Sequence, residues 1–193
     1  HRYLSQLTQA LTINRAVLVT GEPAAGKTEG VKYLHSQIPG WGELVEFNGH
    51  RGVSEDDLLR SIGIVVSQQG GQVRFQFRDG PLLRAMLDGR LFLLDEINLI
   101  KSAQLSFLLE YLSSDVTTIE CIDAQGQVTT QSLHPGFRFV ATMNPEGPGR
   151  HPLNAALKNR MTVIAADELL VPELIALFVR RYPNLNAGLV TRL

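Results

Sequence analysis

The residues best suited to chemistry lie in the stretch GEPAAGKT, which covers residues 21–28. Its spacing, G-x-x-x-x-G-K-T, is that of a phosphate-binding loop. Glycines at positions 21 and 26 allow the backbone to curl so that successive N–H groups point at phosphate oxygens. Lys27 would reach the β- and γ-phosphates, and the Thr28 hydroxyl would take one position around Mg²⁺. Because so short a pattern also arises by chance, the flanking elements decide its meaning.

Those flanking elements have the order that a phosphate-binding loop requires. The apolar run at residues 16–19 predicts a buried parallel strand before the loop, and residues 28–38 predict a helix after it that stops at Pro39-Gly40. The positive end of that helix would face the same phosphates. The sequence therefore predicts nucleotide binding by the residues of the loop, which are Gly21, Glu22, Pro23, Ala24, Ala25, Gly26, Lys27 and Thr28.

Two carboxylates follow a second apolar run. Residues 91–94 predict a buried strand that ends in Asp95 and Glu96. Alone, two acids at this position would more often be a strand cap beside a turn. In a chain with a phosphate-binding loop, Asp95 would hold the Mg²⁺ shell and Glu96 would polarise the attacking water. The loop upstream favours this hydrolytic interpretation.

An asparagine ends a third apolar run. Residues 137–142 predict a buried strand that leads into Met143-Asn144-Pro145. The side chain of Asn144 would bond either the γ-phosphate or the attacking water. It would serve equally well to start an Asx turn before the proline, and the residue pattern leaves both open.

Composition indicates a globular domain. The chain has 193 residues, which suits one domain or one domain plus part of another, and its net charge of −1 comes without a basic block. The apolar runs are too short to span a membrane, and residues 1–15 lack the apolar core of a secretory signal. A single cysteine, Cys121, excludes an internal disulfide and fits a reducing compartment. The scattered histidines predict no protein-built transition-metal site.

The remaining pattern predicts further elements. Residues 1–14 read as a helix that either walls an adenine pocket or simply packs on the core. A helix with Ser54 as N-cap would run through DLLRSIGIVV, although IVVSQ could instead pair with the alternating strand QVRFQFR. Other predicted elements are an amphipathic helix at 102–114, a hairpin at 117–132, a helix at 153–160, a strand at 161–165 and a final helix from Asp167.

The stretches GEPAAGKT, FRDGPLLRAMLDGRLFLLDEINL and FRFVATMNPEGPGRHPLNAALKNRM resemble the dynein-related branch of the AAA+ ATPases. The midasin modules are more similar than the MoxR-type ATPases. This resemblance implies an α/β fold, namely a three-layer P-loop NTPase core with a five-stranded parallel sheet, a helix-2 insert hairpin, a pre-sensor-1 hairpin and a truncated helical lid. Residues 1–166 would form the nucleotide-binding core, and residues 167–193 would begin the lid of a longer polypeptide.

The resemblance also assigns roles to single residues. Asn144 matches the sensor-1 residue, and Arg160 matches the arginine finger that acts in trans on the neighbouring subunit's γ-phosphate. Met161 stands where the family usually has an aromatic residue. Arg150 becomes a second candidate for an intersubunit contact. The implied catalytic set is therefore Glu96, Asn144 and Arg160.

The function implied by the resemblance is ATP hydrolysis with Mg²⁺ that remodels a protein or ribonucleoprotein complex. Partners would be neighbouring AAA+ modules in a hexameric ring, without membrane or sequence-specific DNA binding. A midasin-like role would release ribosome-assembly factors, in the cytoplasm or in a eukaryotic nucleus. The alternatives are a MoxR-type chaperone for protein maturation or metal insertion, and a structural ring module that binds nucleotide without turnover.

Overall fold

The computed structural model describes residues 2–66, 73–113, 115–123, 126–145 and 147–166, with the backbone alone at 61–66 and 73–77. The helices in these ranges are α1 (Arg2–Ile13), α2 (Lys27–Gln37), α3 (Glu55–Leu59), α4 (Pro81–Asp88), α5 (Leu108–Tyr111) and α6 (Ala155–Lys158). The strands are β1 (Ala16–Thr20), β2 (Val45–Asn48), β3 (Arg60–Val66), β4 (Val73–Asp79), β5 (Leu91–Asp95), β6 (Thr118–Ile122), β7 (Val128–Ser132), β8 (Arg138–Met143) and β9 (Thr162–Ala165).

A five-stranded sheet in the order β2-β5-β8-β1-β9 forms the centre of the fold, and every pair in it is parallel. The predicted five-stranded parallel sheet is thus confirmed. The inner strands β1, β5 and β8 are the continuous apolar runs of the sequence, as expected of strands covered on both faces. Their carboxyl ends share one edge of the sheet, which is where polar residues follow each strand.

Helices cover both faces of the sheet, which gives the predicted three layers. On one face, Val17 and Leu93 pack with Leu7 and Leu11 of α1 and with the buried side of α2. The core on the opposite face contains Phe92 and Phe139, whose rings stack with centroids 5.9 Å apart. This two-sided burial fixes the loops at the carboxyl edge relative to one another.

Two antiparallel hairpins project from this core, β3–β4 and β6–β7. The first corrects the helix predicted for DLLRSIGIVV, because α3 ends at Leu59 and the chain continues as β3. Ser54 caps α3 as predicted, through a capping box with Asp57. The β-branched run that follows favours a strand, and pairing with β4 provides its backbone partners.

The prediction of one continuous helix at 102–114 is also wrong. The segment consists of a 3₁₀ turn, Ser102–Leu105, followed by the short α5. The Ser106 hydroxyl donates to the carbonyl of Ala103 at 2.9 Å, a local bond that competes with helical bonding. The predicted apolar face survives, because Leu105, Leu108 and Leu112 are buried.

The final helix predicted from Asp167 and the lid at 167–193 lie outside the described residues. Within the described residues, no helix has the length and apolar character needed to cross a membrane.

Candidate functional site

The loop between β1 and α2 forms a concave turn at the carboxyl edge of the sheet. Ala24 and Gly26 both have left-handed backbones, with φ of 65° and 74°. Gly21 is required for space instead, because a Cβ there would lie 2.6 Å from the Ala166 carbonyl oxygen. Gly26 is the N-cap of the 11-residue α2 and supplies no side-chain cap. The first N–H groups of α2 are therefore not capped by this residue, which suits an anion.

Lys27 is the buried cation of this loop, with 7% of its surface exposed. Its Nζ donates to the Gly21 carbonyl at 2.9 Å, to the Glu22 carbonyl at 2.7 Å and to Asn144 Oδ1 at 2.6 Å. These three bonds use all three donors of an ammonium group. Burial lowers the pKa of Lys27, against the raising effect of the nearby carboxylates. An incoming phosphate would replace one or more neutral oxygens with a charged one.

One carboxylate oxygen of Asp95 accepts hydrogen bonds from two hydroxyl groups. Thr28 Oγ1 donates to Asp95 Oδ1 at 2.7 Å, and Thr142 Oγ1 donates to the same atom. The Thr142 hydroxyl also accepts the Glu96 backbone N–H at 3.0 Å. Thr28 and Asp95 are thus in contact, as the magnesium prediction requires, and both offer the hard oxygen ligands that this ion prefers.

Glu96 begins the 3₁₀ turn Ile97–Leu99 with a left-handed backbone, φ 55° and ψ 47°. Asn144 Nδ2 donates to its Oε1, and Arg150 Nη2 lies 3.7 Å from its Oε2. Asn144 therefore links Lys27 to Glu96 through the two ends of one amide. A hydrogen-bonded path runs from the phosphate-binding loop to the candidate base.

Arg160 has no contact with the site residues described above among the bonds of the described chain. It follows α6, is exposed, and its Nη1 donates to the carbonyl of Ala156 in the same helix at 3.3 Å. Hydrogen bonds from Ser113 and the backbone lower the pKa of the exposed Asp115, and Arg160 adds to this effect from nearby. This position on the surface is compatible with action on a neighbouring module.

Three further residues contribute to the site without having been predicted. Thr142 is fully buried, and Asn98, 1% exposed, donates from Nδ2 to the Asn144 carbonyl at 2.9 Å. Both are polar residues within or directly after apolar runs, which is the signal that would have found them. Tyr3 donates its hydroxyl to the Lys27 carbonyl at 2.9 Å, and no local pattern indicates a contact across 24 residues.

The position of α1 bears on its two predicted roles. Its buried side packs on the core, and it borders a groove of about 440 Å³ against β9. The groove is lined by residues such as Gln6, Ile13 and Val163, and its lining includes no residue of the phosphate-binding loop. The described contacts of α1 are packing on the core and the Tyr3 bond to the phosphate-binding loop, and its role as a wall of the adenine pocket stays a prediction.

Comparison with known proteins identifies the family. A model of the AAA domain, dynein-related subfamily, matches residues 16–161. The chain belongs to this family. It is similar to midasin from Dictyostelium discoideum, at 31% identity over 97% of this chain and 3% of that protein. It is also similar to midasin from Giardia intestinalis, at 30% identity over 93% of this chain and 4% of that protein.

Other relatives are shorter. An uncharacterized protein of Staphylococcus haemolyticus is 31% identical over 80% of this chain and 56% of its own length. A crystal structure of an inferred ATPase from Cytophaga hutchinsonii has a TM-score of 0.62 at 22% identity, over 96% of this chain and 57% of that one. This last likeness concerns the fold alone. The AAA module spans a small part of the midasins and little more than half of the other two proteins.

Proposed function

We propose that this module binds MgATP at residues 21–28 and hydrolyses it to ADP and phosphate. The observation that carries the proposal is the hydrogen-bonded path Lys27–Asn144–Glu96. It joins a phosphate-binding cation to a carboxylate through an amide that can contact both the terminal phosphate and a water. Membership of the AAA family supports the same assignment.

Binding would use the curled loop and the start of α2. Backbone N–H groups of the loop and the Lys27 ammonium would surround the β- and γ-phosphates. Thr28 and Asp95 would hold Mg²⁺, directly or through water, and the ion would neutralise phosphate charge when bound. Thr142 keeps Asp95 in place, because its hydroxyl donates to the same oxygen as Thr28.

Hydrolysis would depend on Glu96. Its carboxylate would take a proton from the water that attacks the γ-phosphorus, while Asn144 would hold that water or the phosphate. Arg160 would stabilise transition-state charge in the pocket of a neighbouring module, since in its own module it is exposed and its side chain donates only to the Ala156 carbonyl among the described residues. The complete active site would thus form between two modules of a ring.

The biological role that we favour is remodelling of a protein or ribonucleoprotein complex, as in a midasin-like release of ribosome-assembly factors. Its support is the similarity to two midasins over 93–97% of the chain. A MoxR-type chaperone and a structural ring module without turnover are the competing functions. The midasin-like role expects ATP-dependent release of a factor from pre-ribosomes, and the MoxR-type role expects none.

The test of the activity is ATP turnover by the full-length protein. We expect Glu96→Gln to keep MgATP affinity and lose most turnover, because an amide cannot accept the proton of water. Glu43→Gln is a suitable control, because Glu43 pairs with Arg90, which precedes β5 and so lies at the edge of the sheet opposite the site. Tight ATP binding without turnover in the wild-type protein would instead establish the structural module.

A further inference from the structure

Arg150 lies on a loop that is tied to its own module by the two residues that follow it. Its N–H donates to the Gly147 carbonyl at 3.1 Å, and the next residue, His151, donates its N–H to the Asn98 carbonyl at 2.7 Å. Ser102 Oγ donates to the Pro152 carbonyl at 2.6 Å. The first bond is a turn within the loop, and the other two join the loop to the segment that directly follows Glu96. From this loop the Arg150 side chain reaches Glu96 of its own module.

The Arg150 guanidinium and the Glu96 carboxylate face each other at partial burial. Their side chains are 24% and 31% exposed, and the shortest separation is 3.7 Å, from Nη2 to Oε2. Glu96 Oε2 and Arg150 Nε are buried atoms without a hydrogen-bond partner in the described part of the chain. The Nη2–Oε2 distance is too long for a hydrogen bond, so the guanidinium and the carboxylate interact as opposite charges that are partly shielded from solvent.

Each oxygen of the Glu96 carboxylate consequently faces a donor from the same module. Asn144 holds Oε1, and Arg150 faces Oε2. We infer that Arg150 is a positioning residue of its own pocket, which orients Glu96 for the attack of water, rather than a contact to the neighbouring module. This inference rests on the proposed hydrolysis. Without Arg150, Oε2 would be a buried charge with no partner, and the carboxylate would rotate toward solvent or toward Lys27.

The first experiment measures steady-state turnover and nucleotide affinity in the full-length protein. We expect Arg150→Met to lower kcat about 10–100-fold, the scale of a misplaced catalytic group, with little change in ATP affinity. Arg150→Lys keeps the charge and should recover part of that loss. The control is Arg90→Met, because Arg90 is also ion-paired and 33% exposed but lies at the opposite edge of the sheet.

Three results would contradict the inference. Unchanged kcat in Arg150→Met, beside an active wild-type protein, would remove the positioning role while leaving the proposed function intact. A selective loss of ATP affinity relative to ADP would make Arg150 a ligand of the terminal phosphate. Equal losses of kcat in Arg150→Met and Arg90→Met would show that the loss comes from general destabilisation of the module.

The second experiment asks in which module Arg150 acts. Glu96→Gln subunits are mixed with Arg150→Met subunits, or the two changes are placed in adjacent modules if the ring is a single chain. If Arg150 serves its own Glu96, every altered module has a defective pocket, and activity should be no higher than that of the separate variants. If Arg150 acts across an interface, mixed subunits form pockets with both residues intact and activity returns. In a single chain the two changes then fall in one shared pocket and cost no more than one of them, and either result would overturn the inference.

The mixture of Glu96→Gln with Arg160→Ala is the matched control for assembly. It should recover activity, because Arg160 is proposed to act in trans and intact pairs then form. Failure of this control refutes the shared site of the proposed function. The inference on Arg150 would then be decided by the single variants alone, through the loss of kcat and its recovery by lysine.

Discussion

Replacing Thr142 by valine should destabilise the protein although the two side chains have nearly the same shape. Thr142 is fully buried, and its hydroxyl serves two partners at the carboxyl end of β8. It donates to Asp95 Oδ1 and accepts the Glu96 backbone N–H at 3.0 Å. Valine removes both bonds and opens no cavity, so the loss reports the hydrogen bonds alone.

The expected loss is the sum of two terms. A buried backbone N–H left without a partner costs about 1–3 kcal/mol. A hydrogen bond to an ionised carboxylate contributes roughly 1.5–3 kcal/mol, and we take the lower end because Thr28 still donates to the same Asp95 oxygen. The total is about 3 kcal/mol. In a domain of this size, that corresponds to a fall in Tm of about 6–12 °C.

The assay is urea and thermal unfolding of the wild-type protein, Thr142→Val and Thr142→Ser. Serine keeps the hydroxyl and loses one buried methyl group, at about 1 kcal/mol. Valine should therefore be less stable than serine by roughly 2 kcal/mol, with unchanged m-values. If Thr142→Val proves as stable as Thr142→Ser, the hydroxyl network does not stabilise this edge of the sheet and the reasoning fails.

Three further predictions concern binding, catalysis and a helix cap. Lys27→Ala should abolish the thermal stabilisation by MgATP, about 2.7 kcal/mol at a hundredfold excess over Kd, because the loop loses its buried cation; retained stabilisation would exclude this loop as the ATP site. In the full-length ring, Arg160→Ala should lower turnover about 10³-fold or more at nearly constant ATP affinity, and silence would exclude action in trans. Ser54→Ala should cost about 1 kcal/mol at pH 7. The backbone N–H and the hydroxyl of Ser54 both lower the pKa of Asp57 from 3.8, and alanine removes only the hydroxyl bond. That part of the cost is present above this pH and is lost as the pH falls below it, and urea unfolding on either side of that pH measures it. No cost at pH 7 would contradict the capping box.

Local patterns in the sequence predicted most of the single elements, and the resemblance to the family predicted how they assemble. The continuous apolar runs predicted the inner strands of the sheet because strands buried on both faces need apolar residues at successive positions. The wrong assignments concern segments whose apolar residues suit either a helix or a strand. DLLRSIGIVV was assigned to a helix, and pairing with β4 makes most of it a strand. Residues 102–114 kept their apolar face but broke into two short turns.

The candidate site was predicted in part. The loop and the pair Asp95-Glu96 were found because each is a contiguous motif. The structure adds the contacts among Lys27, Asn144 and Glu96, which bring together residues from three different strand ends. The roles assigned to these residues stay predictions, as do those of Arg160 and of the lid at 167–193.

The sequence by itself determined which residues are available for chemistry and to which family they belong. Only the tertiary structure decided their neighbours, through the register of the parallel strands. Leu94 of β5 pairs with Ala141 of β8, so Asp95 comes to lie beside Thr142. Thr20 of β1 pairs with Met143, which brings Asn144 next to the phosphate-binding loop. A shift of one residue would leave every motif intact but point these side chains to opposite faces, because successive side chains of a strand alternate between the two faces. Register is set by packing across the whole sheet, which a short motif does not contain.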